Sequence, residues 1–373
     1  MTVAVHGVGT SRFGRQLNRS AASLAWDAIV EALEDAGTRE VDAVWVGSVY
    51  GEMGVAQRAL HRLGITGIPI IRVENACASG STAFHEAREA VRTGRYERVL
   101  AVGVEHMTSR FTGPIDPEPL DPEGRAGLAL PALYALAASR YLSEGAVTEE
   151  QLAAVAVKNR RHGVSNPRAQ HAGEVTLDEV LSSRLVADPL TRLQCTSITD
   201  GAAAAVLGPA RGDTREVVVE SSVLRSGALW DYRSEHVWGY DIVAETAAAA
   251  REQAGIELAD VDLLEVHDAF TIGEIVTTEA VGLAAHGEGG ALAASGETAI
   301  GGRIPVNPSG GLLSRGHPLG ATGLAQVAEA VWQLRGEAGG RQVEGARRAL
   351  VETMGGGVSG IDGNACVVAV LAR

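Results

Sequence analysis

The stretch Asn307–Gly323, NPSGGLLSRGHPLGATG, decides the reading of this 373-residue chain. It holds five glycines, two prolines and a single histidine, His317. So much Gly and Pro excludes a strand or helix interior. It predicts a tight, shaped loop that presents backbone N–H groups and one imidazole at a fixed point. A helix is predicted directly after it, over Leu324–Gly336, because Leu324, Val327, Ala328, Val331 and Leu334 fall near helical spacing. His317 therefore precedes a helix N-terminus, where the dipole and free N–H groups favour negative charge.

The loop has a counterpart upstream. Asn75–Gly94, NACASGSTAFHEAREAVRTG, reads as a turn at Cys77 followed by a helix whose first turns are small residues. The strand RVLAVGVE follows it, as RALVETMG follows the histidine loop and its helix. Earlier in each copy, ALEDAG then VDAVWVGSV from Ala32 matches AREQAG then VDLLEVHDA from Ala250. Two halves with the same order of elements imply an internal duplication. The alternation of strand and helix predicts an α/β fold with mixed sheets. The division expected is 1–210 and 215–373, with an excursion over about 111–189 inside the first half. That excursion carries the acid- and Pro-rich loop Asp116–Glu123 and helices over Pro131–Ser143 and Glu149–Arg161. If a pseudo-twofold relates the halves, Cys77 and His317 meet at one site between two helix N-termini.

Composition excludes other classes. The chain is 46% hydrophobic, enough for a large core, but only 4% aromatic with 46 glycines, so the core must pack through small side chains and close backbone approach. The net charge is −14, without a basic run interleaved with aromatics, which argues against nucleic acid. No apolar run reaches membrane-spanning length, the N-terminus lacks the order of a signal peptide, and three cysteines make no disulfide framework. A cytoplasmic location is the resulting expectation.

A thiolate at a helix N-terminus near a histidine is expected to have a depressed pKa and to act as a nucleophile, which points to Cys77. Cys195 and Cys366 are expected to be structural. His267, in VEVHDAF at a strand end, is the second candidate imidazole. No metal-ligand spacing and no nucleotide-type phosphate loop is present. Lys158–His162, KNRRH, is a candidate for contacting phosphates.

Through VENACASGS, VEVHDAF, the histidine loop and VETMGGGVSGIDGNACVVAVL, nearly the whole chain resembles the thiolase superfamily. The closest likeness is to the thiolases related to sterol carrier protein x and their archaeal relatives. The resemblance implies a five-layered αβαβα thiolase fold with 111–189 as the loop domain. It implies that Cys77 accepts the acyl group of an acyl-CoA or other acyl thioester, and that His317 takes the thiol proton. His267 then helps bind the thioester oxygen, and Asp268 and Asn307 orient the site. Ser309, Gly310 and Gly311 are expected to bind substrate. At the family's Cys-x-Gly position the best local match is Thr353-Met354-Gly355. Gly355 would then supply an oxyanion N–H beside that of Cys77, with Gly356 and Gly357 as alternatives. The sequence departs from the two-cysteine pattern, since Thr353 and Ala269 stand where the second cysteine would. This leaves three readings open: a thiolase-like acyltransferase, an enzyme with an activated or decarboxylating acceptor, and a non-catalytic acyl-CoA-binding subunit. The resemblance further implies a homodimer or homotetramer, a small OB-fold partner, and no cofactor beyond the thioester.

Overall fold

The structure is a computed structural model that describes residues 1–373. The first half runs β1 (Val3–Thr10), α1 (Ala21–Asp35), β2 (Ala43–Gly47), α2 (Val55–His61), β3 (Ile70–Val73), α3 (Ser79–Arg92) and β4 (Val99–His106). The excursion follows, with α4 (Pro122–Arg125), α5 (Leu130–Ser143), α6 (Glu149–Val164), α7 (Leu177–Leu181) and the small hairpin β5 (Leu185–Ala187) and β6 (Leu190–Thr191). The chain then returns through β7 (Asp200–Pro209). The second half runs β8 (Val217–Arg225), α8 (Tyr240–Ala254), β9 (Leu263–Glu265), α9 (Thr271–Ala280), α10 (Gly289–Ala294), α11 (Gly311–Ser314), α12 (Thr322–Arg335), β10 (Arg348–Gly355) and β11 (Ala365–Ala372).

Pairing exposes the duplication. The strands run in the order β3-β2-β4-β7-β1-β8-β11-β10-β9. In the first half β3 and β4 flank β2 in parallel, and β7 and β1 follow antiparallel. In the second half Val306 and β10 flank β9 in parallel, and β11 and β8 follow antiparallel. Within the nine-stranded sheet the halves are joined where Ala4 and Val5 of β1 pair with Val218 and Val217 of β8.

Strand alternation sorts the side chains into layers. Val44, Val46, Leu100, Val102, Ala202 and Ala204 point outward, into one cluster with α1 and α2. Ala43, Trp45, Val99, Ala101, Ala203 and Ala205 point inward, to a cluster shared with α3, α12 and the inner faces of β10 and β11. Leu350 and Val368 point to the far side, where α8 and α9 cover them. The result is the αβαβα sandwich, with α3 and α12 in the middle layer.

The elements that carry Cys77 and His317 touch through bare glycine. A Cβ on Gly80 would lie 2.5 Å from the Gly320 carbonyl, and one on Gly103 of β4 would lie 2.2 Å from it. Backbones can approach that closely only without side chains. Helix caps follow the sequence signals: the Ser20 side chain accepts from Ser23 N at the start of α1, and Gly336 ends α12 in the left-handed conformation.

Two expectations are corrected. The histidine stretch is not loop throughout, because α11 forms a single helical turn inside it, after left-handed Gly310. And Lys158–His162, the candidate for contacting phosphates, is largely turned inward, with only Arg161 exposed. Lys158, Asn159 and His162 are buried on α6, which packs against α9, α10 and α11, so this segment does not offer its lysine to phosphates.

Candidate active site

Cys77 sits in the turn between β3 and α3, after Ala76, which takes a left-handed φ of 49°. The turn is held by short bonds. Asn75 N donates to Ser79 Oγ at 2.9 Å, and Ser79 Oγ donates to Ala76 O at 2.6 Å. His267 follows β9, with its amide donating to the buried Glu352 carboxylate of β10 at 2.8 Å. His317 lies between α11 and α12, with its amide donating to Thr199 Oγ1 at 3.0 Å. One ligating atom from each of Cys77, His267 and His317 lies within 4.8 Å of the other two. The imidazoles meet edge to face, centroids 4.9 Å apart.

Thr322, the first residue of α12, sets the His317 tautomer. Its hydroxyl lies 3.1 Å from Pro318 O, which can only accept, and 2.7 Å from His317 Nδ1. With the hydroxyl proton on Pro318 O, Nδ1–H donates to Thr322 and Nε2 is left unprotonated as a base. Burial lowers His317 well below 6.5, with His267 and the buried Arg315 guanidinium adding to it. Burial likewise lowers His267 to about 3, again with help from Arg315. Burial also pushes the Cys77 thiol up to about 12, although the N–H groups of Cys77 and Gly356 pull the other way. Burial thus works against the depressed thiol expected from the helix terminus. In this dry site desolvation of the anion outweighs the amides. Burial of both groups favours the neutral thiol and the neutral imidazole.

Cys77, His267 and His317 lie at a cavity of ≈ 400 Å³. Met107, Phe111, Ile115 and Leu319 line it on the Cys77 side, and Tyr134, Trp238 and Phe270 on the His267 side. Exposed Arg15, Arg184 and Arg192 also line it. The arrangement can accept an acyl group on sulfur, remove the thiol proton at His317 and meet a developing oxyanion with N–H groups.

The family matches agree with this geometry. Residues 4–211 match the "Thiolase, N-terminal domain" family and residues 231–368 the "Thiolase C-terminal domain-like" family. The chain belongs to the thiolase family. Among its relatives, the acetyl-CoA acetyltransferase of Methanothermobacter thermautotrophicus is 42% identical, covering 95% of this chain and 96% of that protein. Sterol carrier protein 2 of Oryctolagus cuniculus is 40% identical over 95% of this chain and 70% of its own length. The benzoylsuccinyl-CoA thiolase subunit BbsB of Thauera aromatica is 39% identical over 95% of both chains. Among solved structures, the Ltp2-ChsH2(DUF35) aldolase superposes at a TM-score of 0.84 with 26% identity, covering 100% of this chain and 98% of that one. Human mitochondrial 3-ketoacyl-CoA thiolase, at 18% identity and a TM-score of 0.76 over 100% and 99%, shares the fold. The protein is an acyltransferase of this family.

Within this thiolase-family site, several sequence assignments move. Gly355 packs in β10, where a Cβ would meet Asn75 O at 2.1 Å, and it does not line the cavity. Gly356 does, and its N–H is the one beside Cys77. The Cys-x-Gly register therefore becomes Met354-Gly355-Gly356. Thr353 points to the opposite face, its hydroxyl donating to Gln326 Oε1 of α12 at 2.6 Å, because neighbouring strand residues alternate. Ser309, Gly310 and Gly311 do not reach the cavity either. Ser309 N and Oγ donate to Glu265, Gly310 packs on Gly163, and Gly311 packs on the Asp268 carboxylate. Cys366 is buried, whereas Cys195 is half-buried and lines the cavity, with its thiol donating to Thr191 O at 3.2 Å.

Asp268 and Asn307 brace the two histidine loops. Asp268 accepts from Leu312 N at 2.7 Å and Leu313 N at 3.3 Å, capping α11, and from Asn159 Nδ2 at 2.7 Å. Asn307 accepts from Val266 N at 2.8 Å and donates to Glu274 at 2.9 Å, and Lys158 pairs with Glu274 at 2.8 Å. Sequence reading missed Thr322, Glu352, the cavity position of Met354 and the Lys158–Asn159–Glu274 network, and gave Gly356 as an alternative to Gly355. Only Gly356 and Met354 carried a signal, the Gly356 spacing in MGGG.

Proposed function

We propose that this protein transfers the acyl group of an acyl-CoA onto Cys77 and then makes or breaks a C–C bond next to the thioester carbonyl. The observation that carries this reading is the convergence of Cys77, His267 and His317 at one apolar cavity. His317 Nε2 takes the thiol proton as sulfur attacks. The N–H groups of Cys77 and Gly356 receive the acyl-enzyme oxygen, and His267 donates to the thioester oxygen. Arg15, Arg184 and Arg192 are the groups that would meet the CoA phosphates. No cofactor beyond the thioester is required. The archaeal relative's name, acetyl-CoA acetyltransferase, and that of the benzoylsuccinyl-CoA thiolase subunit support the substrate class.

The acceptor is where this chain departs from a two-cysteine thiolase. Ala269 and Met354 occupy the two positions, both lining the cavity, and neither side chain is a base. This favours an acceptor that arrives activated or that decarboxylates. The test separates half-reactions. Transfer of a labelled acetyl group to the protein is expected to proceed, while condensation of two acetyl-CoA molecules is slow or absent. Ala269→Cys or Met354→Cys should raise condensation by about a hundredfold, the usual worth of a positioned base. Condensation by the unaltered protein at the rate of a two-cysteine thiolase would overturn this.

Assembly belongs to the same reading. β3 ends the sheet with one edge unpaired, and exposed edges are pairing sites. A homodimer through that edge is the expected unit. The aldolase neighbour, whose name joins Ltp2 to a DUF35 component, supports a small partner here, which in this reading is the OB-fold protein. No helix is long and apolar enough to cross a membrane. A cytoplasmic site of action is part of the proposal.

A further inference from the structure

One buried ionic group stands behind each histidine. Glu265, the last residue of β9, comes two residues before His267, and Arg315, the residue after α11, comes two before His317. The two pair across the segments, with Arg315 Nη1 at 3.4 Å from Glu265 Oε2. Ser309 completes the join. Its N–H and hydroxyl donate to the two Glu265 oxygens at 2.9 and 2.8 Å, and its Oγ lies 3.4 Å from Arg315 Nη1. The segments that carry the imidazoles are thus tied together just behind the rings.

The pairing is lopsided. Glu265 has short bonds, whereas Arg315 reaches its acceptors through Nη1 alone, at 3.4 Å. Arg315 Nε and Nη2 are buried and find no acceptor in the chain. Phe13 offers a ring face, its centroid 5.9 Å from Cζ. A buried guanidinium kept for structure alone is normally bonded to its partner through both prongs of its fork. Here much of the charge stays uncompensated, in surroundings that screen it weakly. The other acidic groups nearby are engaged elsewhere. Glu329 of α12, which also faces Glu265, pairs with Arg341 at 2.9 Å. Glu352 accepts from the His267 amide, and Glu105 of β4 from Gly320 N at 3.1 Å. On both imidazoles Arg315 acts in the same direction as burial, against a proton.

We propose that Arg315 is a positioning residue for acyl transfer. Joined to Glu265, it fixes the spacing of the two histidine segments and holds a positive charge behind both rings, so that His317 passes on the proton it takes. This rests on the acyl-transfer reading of the site. In that step the Cys77 thiol proton moves to His317 Nε2 as the C–Sγ bond forms and the donor's C–S bond breaks. The proton then goes from His317 to the departing CoA thiolate, which leaves as the thiol. An imidazolium beside an uncompensated cation is a stronger acid, which favours this second transfer. The same charge opposes a free imidazolium before attack, and it keeps His267 from holding the proton instead.

Two substitutions separate the charge from the scaffold. Arg315→Gln removes the charge but can still donate to Glu265 and Ser309, whereas Arg315→Lys keeps the charge. NMR of protein labelled at the histidine ring carbons reads the protonation of each imidazole against pH without substrate. His267→Asn and His317→Asn assign the two signals. The proton affinity of both rings is expected to rise by about tenfold in Arg315→Gln and to stay within about twofold of the unaltered protein in Arg315→Lys. Single-turnover acylation should slow by about tenfold in Arg315→Gln, at an unchanged half-saturating acyl-CoA concentration, and be retained in Arg315→Lys. Should Arg315→Gln fail to fold, Arg315→Met combined with Glu265→Gln strands no buried charge, and the same rise is expected of it. Rings that titrate as in the unaltered protein once the charge is removed, or a lysine variant that behaves like the glutamine one, would overturn the proposal. Mass measurement with acyl-CoA reads the covalent step separately. A shifted titration with no adduct on the unaltered protein would keep the charge assignment and remove acyl transfer, whereas an adduct with an unshifted titration would do the reverse.

Discussion

At the scale of single residues, the site is governed by burial. Cys77 is pushed up to about 12 and His317 is held well below 6.5, which, in the proposed reaction, favours proton transfer that accompanies attack rather than preceding it. Alkylation of Cys77 by iodoacetamide is therefore expected to accelerate steadily as pH rises past 9. A plateau with a midpoint below 7 would indicate a thiolate–imidazolium pair instead. Thr322→Val removes the group that fixes the His317 tautomer while keeping volume. It should cost about ten- to a hundredfold in the acylation rate, with the melting temperature little changed. Glu352 gives a linkage prediction. Burial raises it from 4.5 to about 7, so between those values the folded state keeps a proton that the unfolded chain releases. Its contribution is therefore intact below about pH 4.5 and is lost as pH rises to 7, by about 3 kcal/mol. Glu352→Gln can still accept from the His267 amide and should flatten this part of the stability–pH curve in denaturant titrations.

At the scale of elements, close approach is the device that assembles the site. Gly103→Ala would drive a methyl into the Gly320 carbonyl and displace the histidine loop from α3. It should destabilise by about 1–3 kcal/mol or more and reduce acylation further than the stability loss alone explains. Equilibrium unfolding and single-turnover acylation on the same variant would separate the two effects. The elements themselves were legible in the sequence. Helical spacing marked α12, and the repeated order of motifs announced the duplication. The site was legible as far as backbone punctuation reached. Cys77, His267 and His317 stood in recognisable turns. What strand alternation and packing decide was not visible: that Thr353 faces α12 while Met354 faces the cavity, and that Ser309, Gly310 and Gly311 brace the loop from behind. Lys158 read as a surface cation because its partner, Glu274, lies far along the chain.

At the scale of the whole molecule, the duplication explains why two distant motifs form one site. Each half leaves its parallel strand pair through a left-handed residue, Ala76 in one and Asn307 in the other, and each delivers one reactive side chain to the middle layer. The unpaired edge of β3 sets the expected assembly. Sedimentation at micromolar concentration should give a dimer, and a monomer would contradict the edge-to-edge arrangement.

The central claim is that Cys77 carries the acyl group. Intact-protein mass spectrometry after brief exposure to acyl-CoA tests it most directly. The account predicts a mass increase equal to one acyl group on the unaltered protein, on Cys195→Ser and on Cys366→Ser, and none on Cys77→Ser. An adduct that persists in Cys77→Ser, or no adduct on the unaltered protein across a range of acyl chains, would contradict it.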